Sequence, residues 1–470
     1  MERINIYNST ILFPAFKIGV LFLVFGIFCS IYPLYSICAS FIFVGLVILT
    51  ILAKNKATFI VLIFALAPLT GLIKVFLNFK EAPLILDFFL VTTVVYVIFQ
   101  KFLNPQSLSI KIPFIGFLIA IFFSIALVQI FNPFIPNIQT GVYGFRSSGA
   151  FYLISFFAAL LTIDSRDDIS RVVRTFIITG PIVAVYGIYQ FFNPSQAEIN
   201  YIRQGSEWSG WTVFMKPIST MIGPTHFGMF MVLSALTILT FLLTKRSELK
   251  LNKTFLKIAF ILILMALLIS LSRASYLALI IGAFFILIVV KRKNLKKSII
   301  FLSVFMTIAI IVLLNIIPRS QIIISRISTL TDISDSALNT RFKIWPDRIN
   351  TIAKNPWGLG IGVTGGAEPI PFKWCDNQFI SIGVETGYIG LFIFLWIILL
   401  ILKKEKNLLK SLKCPFLRTT VCWITVFTVA FLSNMITNQT LLIYPIPMYF
   451  WFMIGILYKI KFIEQKNESQ

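Results

Sequence analysis

The sequence predicts an all-α protein that crosses a membrane many times, with about 12–14 transmembrane helices and one long extracytoplasmic loop. Two observations carry that expectation. Of 470 residues, 58% are hydrophobic and 13% charged, with a mean hydropathy of +0.91. Soluble domains run about 45–50% apolar and roughly 25% charged, so no single aqueous core hides the 49 Phe and the long Ile/Leu runs of this chain. Second, apolar segments of about 20 residues recur from near the N-terminus to near the C-terminus, which excludes a protein held by one anchor.

Charge and turn clusters mark the breaks between spans. The first candidate helices cover residues 11–30, 34–53, 57–77, 82–100, 112–131, 147–163 and 172–192. The second group covers 218–243, 255–271, 274–290, 298–317, 377–402, 415–432 and 441–458. The chain thus divides into transmembrane helices over 1–317, a loop over 318–376, further helices over 377–460, and a short polar tail over 461–470, expected to be disordered.

Lys and Arg number 41 against 18 Asp and Glu, a net charge of +23. In a soluble protein that excess would suggest nucleic acid, but here most of the Lys lies in short loops between apolar spans, the positive-inside pattern. KRSELKLNKTFLK (245–257), KRKNLKK (291–297) and KKEKNLLKSLK (403–413) read as cytoplasmic, and KNK (54–56) and the segment Arg166 to Arg174 fall on the same side. Both termini are then cytoplasmic. The five Cys show no metal spacing and read as packing residues. The first apolar stretch has no small-residue cleavage site, so it reads as a retained helix.

The opposite face receives the loops near 132–146, 193–217, 272–274 and 433–440, and the segment 318–376. A loop of that length without a span of its own is usually functional. It carries Arg319, Arg326, Arg341, Lys343, Arg348, Lys354 and Lys373 against Asp332, Asp335, Asp347, Glu368 and Asp376. Arg on the outer face runs against the positive-inside bias, which points to a need for guanidinium groups; the alternative is that long loops translocate regardless of charge.

Three stretches stand out. In LLISLSRASYLAL (267–279), Arg273 interrupts a nearly continuous apolar run with only Ser272, Ala274 and Ser275 around it. An ionisable group there is costly and suggests a function, against the plainer reading of an Arg snorkelling at a helix end. In NTRFKIWPDRINTIAKNPWGLGIG (339–362), Arg341, Trp345, Arg348, Ile349 and Ile352 fall at helical spacing. They predict an amphipathic helix along the membrane surface, ended by Asn355-Pro356. Its guanidiniums suit phosphate and its indole suits a sugar or lipid boundary; the plainer reading is an interfacial helix with no ligand. The following Gly360-x-Gly362-x-x-Gly365 has no βαβ context, so it is no dinucleotide site. In KWCDNQFISIGVETGYIGLF (373–392), Asp376 and Asn377 sit where the loop re-enters the membrane. Asp376 is a candidate general base or a helix N-cap, and Glu385, deeper in the span, reads as a buried structural acid. His226 is the only His and has no partners for a metal site. Arg146, Arg203 and Lys216 add cations at the same outer level, as a pyrophosphate-bearing lipid would require.

As a set these motifs resemble the O-antigen ligase and polysaccharide polymerase superfamily. The matching features are Ser272-Arg273; Arg341 and Trp345; Asn355-Pro356-Trp357-Gly358-Leu359-Gly360; Asp376-Asn377; and Glu385-Thr386-Gly387-Tyr388-Ile389-Gly390. The resemblance implies a GT-C-like helical glycosyltransferase that needs no metal or other cofactor. It implies an undecaprenyl-pyrophosphate-linked oligosaccharide as substrate at the outer face of the cytoplasmic membrane, with membrane lipid around it and no nucleic acid. A chain-length regulator and a flippase are the partners it suggests. Carried over residue by residue, Arg273 and Arg341 bind the pyrophosphate leaving group. Asp376 stands where ligases place a His base and polymerase-type members often carry Asp. Arg146, Ser272, Trp345, Arg348 and Asn377 complete the expected substrate contacts. The expected function is polymerisation of repeat units. A ligase passing glycan to a lipid or protein acceptor is the nearest rival, and a secondary anion transporter the rival of another class.

Overall fold

The structure is a computed structural model that describes residues 56–77, 82–103, 112–209, 216–244, 249, 251–290, 336–365 and 375–468. Among the described residues every regular element is helical. In chain order these are α1 (Lys56–Leu66), α2 (Thr70–Phe76), α3 (Ala82–Leu103), α4 (Phe114–Val128), α5 (Ile138–Ser147), α6 (Ile154–Thr162) and α7 (Arg166–Phe192). There follow α8 (Gln196–Ser209), α9 (Pro224–Thr244), α10 (Lys253–Ile269), α11 (Arg273–Val290), α12 (Ser336–Lys354), α13 (Gln378–Ser411), α14 (Pro415–Thr437) and α15 (Ile446–Glu468).

Seven of the described helices are long and apolar enough to cross a membrane, or eight if the pair Ile138–Ser147 and Ala150–Thr162, bent by 54°, is one span. The chain is a polytopic all-α membrane protein. The expected spans over 57–77, 82–100, 112–131, 218–243, 255–271, 274–290, 377–402 and 415–432 each coincide with a helix or a joined pair of helices. Those expected over 11–30, 34–53 and 298–317, and the loop over 318–335, lie outside the described residues.

Three boundaries differ from the sequence reading. Helix α7 starts at Arg166 rather than 172: Ser165 and Asp168 form a capping box, and it draws the charged segment into the first turns. The span expected over 147–163 is broken at Ser148-Gly149, with a 3-10 turn over Ala150–Leu153. Helix α15 runs to Glu468, through most of the expected tail, because Glu464 accepts the Lys413 and Cys414 N–H groups at 2.9 and 2.8 Å and ties that end to the start of α14.

Helix α9 forms the centre, packed by α7, α10, α11 and α14, with every residue from Phe227 to Phe241 buried. Of its polar interior residues, Thr237 and Thr240 donate to carbonyls four residues back, and Thr237 Oγ1 also accepts from Trp423 Nε1 of α14 at 2.8 Å. Helix α13 is broken one-quarter of the way along at Gly387 (φ 70°, ψ −169°), a conformation for which only glycine is unstrained.

Candidate active site

The starts of α9, α11, α13 and α15 and the ends of α4 and α14 meet at one end of the bundle, and α12 lies against α13 there. The N-P-W-G-L-G turn and the E-T-G-Y-I-G segment, read separately in the sequence, bind each other. Gly387 breaks α13, and the backbone groups left without helical partners are met by the turn. Leu359 N–H donates to Val384 O at 2.8 Å, Gly360 N–H to Glu385 O at 3.2 Å, and Tyr388 N–H to Pro356 O at 3.0 Å. A side chain at position 387 would lie 2.1 Å from Pro356 O, so the close approach requires glycine as much as the dihedral does.

Behind this junction sits a buried polar network that the sequence only hinted at. Glu385 accepts from Thr364 Oγ1 at 2.6 Å and Thr364 N–H at 3.3 Å, and Thr364 Oγ1 also contacts Ser381 Oγ. Gln439 Nε2 donates to Thr364 O at 3.1 Å and to Ser381 Oγ at 3.2 Å. From the other side, Gln129 Nε2 donates to Trp357 O at 2.6 Å and Asn132 Nδ2 to Gly358 O at 3.2 Å. Glu385 is thus the structural acid expected, while Gln129, Asn132, Thr364 and Gln439 were not singled out. Nothing local marks them, since their partners lie up to 228 residues away.

On this frame Arg341 and Asp376 come together, Nε to Oδ2 at 3.0 Å, with side chains 21% and 42% exposed. Asn377, not Asp376, caps α13: its Oδ1 accepts the N–H groups of Phe379 and Ile380 at 3.0 and 3.1 Å, and its Nδ2 donates to Ile436 O at 3.1 Å. Asp376 is thereby turned toward α12. Arg348 lies two turns beyond Arg341 on α12, close enough to act electrostatically on Cys375. Burial pushes the Cys375 thiol up to about 11, against the opposing pull of Arg348. Trp345 is half-buried on the same helix, Ile352 packs inward and Ile349 faces out.

Arg273 opens α11, half-exposed, after a turn in which Leu271 takes a positive φ of 53°. Ser272 is buried and its Oγ lies 2.8 Å from Ser275 Oγ. Arg146 takes a partner that the sequence reading did not give it: its Nε lies 2.5 Å from Oδ2 of Asp87 on α3, and its guanidinium stacks 6.0 Å from the ring centre of Tyr444. Asp87 is buried, so Arg146 is charge-paired within the bundle. Among the described residues no three His, Cys, Asp or Glu side chains converge.

Residues 258–395 match the family model described as O-antigen ligase. The matched segment runs from α10 into α13 and holds Arg273, Arg341, Asp376, Asn377 and both halves of the Gly387 junction. It supports the resemblance to the O-antigen ligase and polymerase superfamily and a glycosyl-transfer activity of that class. No curated protein sequence matches the chain.

Proposed function

We propose that this protein is a polysaccharide polymerase. In this reading it joins undecaprenyl-pyrophosphate-linked oligosaccharide repeat units at the outer face of the cytoplasmic membrane. The observation that supports it most is the Arg341–Asp376 pair, an acid and a cation held 3.0 Å apart and partly open to solvent at the end of the bundle.

The chemistry follows from those groups. A hydroxyl at the non-reducing end of one lipid-linked repeat attacks the anomeric carbon of the glycan on another carrier. The bond from that carbon to the pyrophosphate oxygen breaks, and the leaving diphosphate takes the electron pair. Arg273 and Arg341 neutralise its growing charge, which is where fixed cations are worth most. A guanidinium carries five N–H donors, so Arg341 Nε can hold Asp376 while the terminal nitrogens face phosphate oxygens. Asp376 takes the hydroxyl proton. A single displacement inverts the anomeric configuration. Ser272, Trp345, Arg348 and Asn377 shape the surroundings. Arg146, locked to Asp87, contributes through position.

The description of the matched model favours a second reading, a ligase that hands the finished glycan to another acceptor. Asp376 in place of a His base is what inclines the reading to a polymerase. Deleting the protein from its host and separating lipid-linked and surface glycans by length tests the two. Loss of long chains with single repeats still delivered is the polymerase result. Long chains stranded on the carrier are the ligase result. An unchanged profile contradicts both.

A further inference from the structure

Asp376 lies at the apex of a tight turn. The Asn377 N–H donates to Cys375 O at 2.6 Å, a bond across two residues that folds the chain back at 376. With its side chain 42% exposed, Asp376 is not held by packing, and a partly solvated pair with Arg341 restrains it only weakly. Its direction is therefore set by the backbone, and whatever holds the backbone there decides where the carboxylate points.

Asn377 supplies one restraint as the cap of α13. Gln378, the first residue of α13, supplies another: its side chain is buried, and its Oε1 accepts the Leu441 N–H at 2.8 Å. Leu441 lies in the 3-10 turn Thr440–Leu442. The bonds of that turn begin with the Leu442 N–H, which donates to Gln439 O at 3.0 Å, so the Leu441 N–H has no partner within it. The buried amide oxygen of Gln378 meets this donor, and an apolar side chain of the same length would leave it stranded.

The turn that Gln378 grips is itself fixed by three contacts. Thr440 Oγ1 donates to Asn434 Oδ1 at 2.9 Å, which ties the turn to the end of α14. Gln439 Nε2 donates to Thr364 O and Ser381 Oγ at 3.1 and 3.2 Å. Gly149, at the break between α5 and α6, packs so closely that a Cβ there would sit 2.3 Å from Leu441 O. A continuous series of contacts thus runs from the bundle through Leu441 and Gln378 to the turn bearing Asp376, and on to Arg341.

We propose that Gln378 is a positioning residue for Asp376. By gripping Leu441 it holds the 375–377 turn so that the carboxylate faces the Arg341 guanidinium and an incoming hydroxyl. It acts through the backbone rather than on the reacting atoms. This rests on the reading of Asp376 as the general base of glycosyl transfer, and it holds for a polymerase and a ligase alike. A reacting group displaced by about 1 Å loses on the order of 10²-fold in rate, so the loss of one buried hydrogen bond at the start of α13 reaches the chemistry.

The full chain in nanodiscs is assayed for transfer from a lipid-pyrophosphate-linked repeat unit, with other acceptors supplied in parallel. Gln378→Met keeps the length of the side chain and removes the acceptor, whereas Gln378→Glu keeps an oxygen in place. Gln378→Met is expected to lower kcat by about 10–100-fold and to leave KM unchanged, while Gln378→Glu stays near the wild type. Combined with Asp376→Asn, Gln378→Met lowers kcat no further, because the group it positions is already gone. Thr237→Val, which takes the buried acceptor from Trp423 in the centre of the bundle, controls for lost stability and leaves kcat in place. Maleimide labelling, resolved by peptide mass spectrometry, reads the turn without turnover: Cys375 reacts at least several-fold faster in Gln378→Met than in the wild type or Gln378→Glu. A wild-type kcat in Gln378→Met, losses that multiply in the double variant, or unchanged labelling of Cys375 overturns the proposal. Full activity in Asp376→Asn alone is a separate result, which removes the base reading and this proposal with it.

Discussion

Arg341 Nε donates to Asp376 Oδ2 at 3.0 Å across 35 residues of sequence, and the neighbouring Asn377 caps α13, which leaves Asp376 for that pairing. The arrangement makes a separable prediction. Asp376→Asn keeps the shape and removes the base, so transfer falls by about 10²–10⁴-fold, the usual share of general-base catalysis. The pair is partly exposed, and such pairs contribute about 0.2–1 kcal/mol, so the melting temperature in detergent stays within a few degrees. A large loss of stability in Asp376→Asn would make the pair structural instead.

The junction at Gly387 gives a stability prediction. Gly387→Ala forces an L side chain into a positive-φ, extended-ψ backbone that is essentially glycine-only, at about 1–3 kcal/mol, and drives its Cβ against Pro356 O. Thr364→Val leaves the buried Glu385 carboxylate short of its 2.6 Å donor, at a cost of about 1–3 kcal/mol. Both variants lower the thermal midpoint and the yield of folded protein. A wild-type melting curve for Gly387→Ala would contradict the geometry.

Much of this architecture was legible in the chain and some was not, for physical reasons. Spans of about 20 apolar residues show in composition because the bilayer sets their length. The amphipathic helix shows because Arg341, Trp345, Arg348 and Ile352 repeat at helical spacing. The break in α13 does not show: Gly387 lies inside an apolar run, and only the distant Pro356–Gly360 turn makes a broken helix stable. Asp376 and Asn377 are both good caps, and composition alone does not decide between them. The Asp87–Arg146 pair spans 59 residues, a relation no local pattern encodes.

That pair supplies the next prediction. Removing one partner of a buried ion pair leaves the other charge stranded, at about 3–5 kcal/mol, whereas replacing both with apolar residues is close to neutral. Asp87→Leu alone and Arg146→Met alone should each destabilise the protein more than the double variant does. Chemical or thermal unfolding of the purified variants measures this. Additive losses would show that the two side chains act independently.

Glu198 gives the acid limb of stability. Burial acts to raise its pKa, but the hydrogen bonds from Ser195, Gln190 and Tyr186 together hold it below the ordinary carboxylate value. A folded pKa below the unfolded one contributes stability that is complete above about 4.3 and fades as pH falls through the folded value. Glu198→Gln should therefore flatten the decline of the melting temperature below pH 5. An unchanged acid limb would exclude Glu198 as its source.

Cys375 offers a probe of packing at the site. With its thiol pushed up to about 11 by burial, only about one molecule in ten thousand carries the thiolate at pH 7. Maleimide should label it slowly in the folded protein and promptly after denaturation. Rapid labelling of the native protein would mean that the 375–377 segment stands open.

Reconstitution tests polymerisation by this chain most directly. The purified chain in nanodiscs is given one lipid-pyrophosphate-linked repeat unit as both donor and acceptor, and the products are sized by mass spectrometry. A polymerase gives a ladder in whole repeat units on the carrier lipid, abolished in Arg273→Ala and Arg341→Ala. A reaction that proceeds only when a different acceptor is supplied, or a ladder that survives both substitutions, would contradict polymerisation at this site.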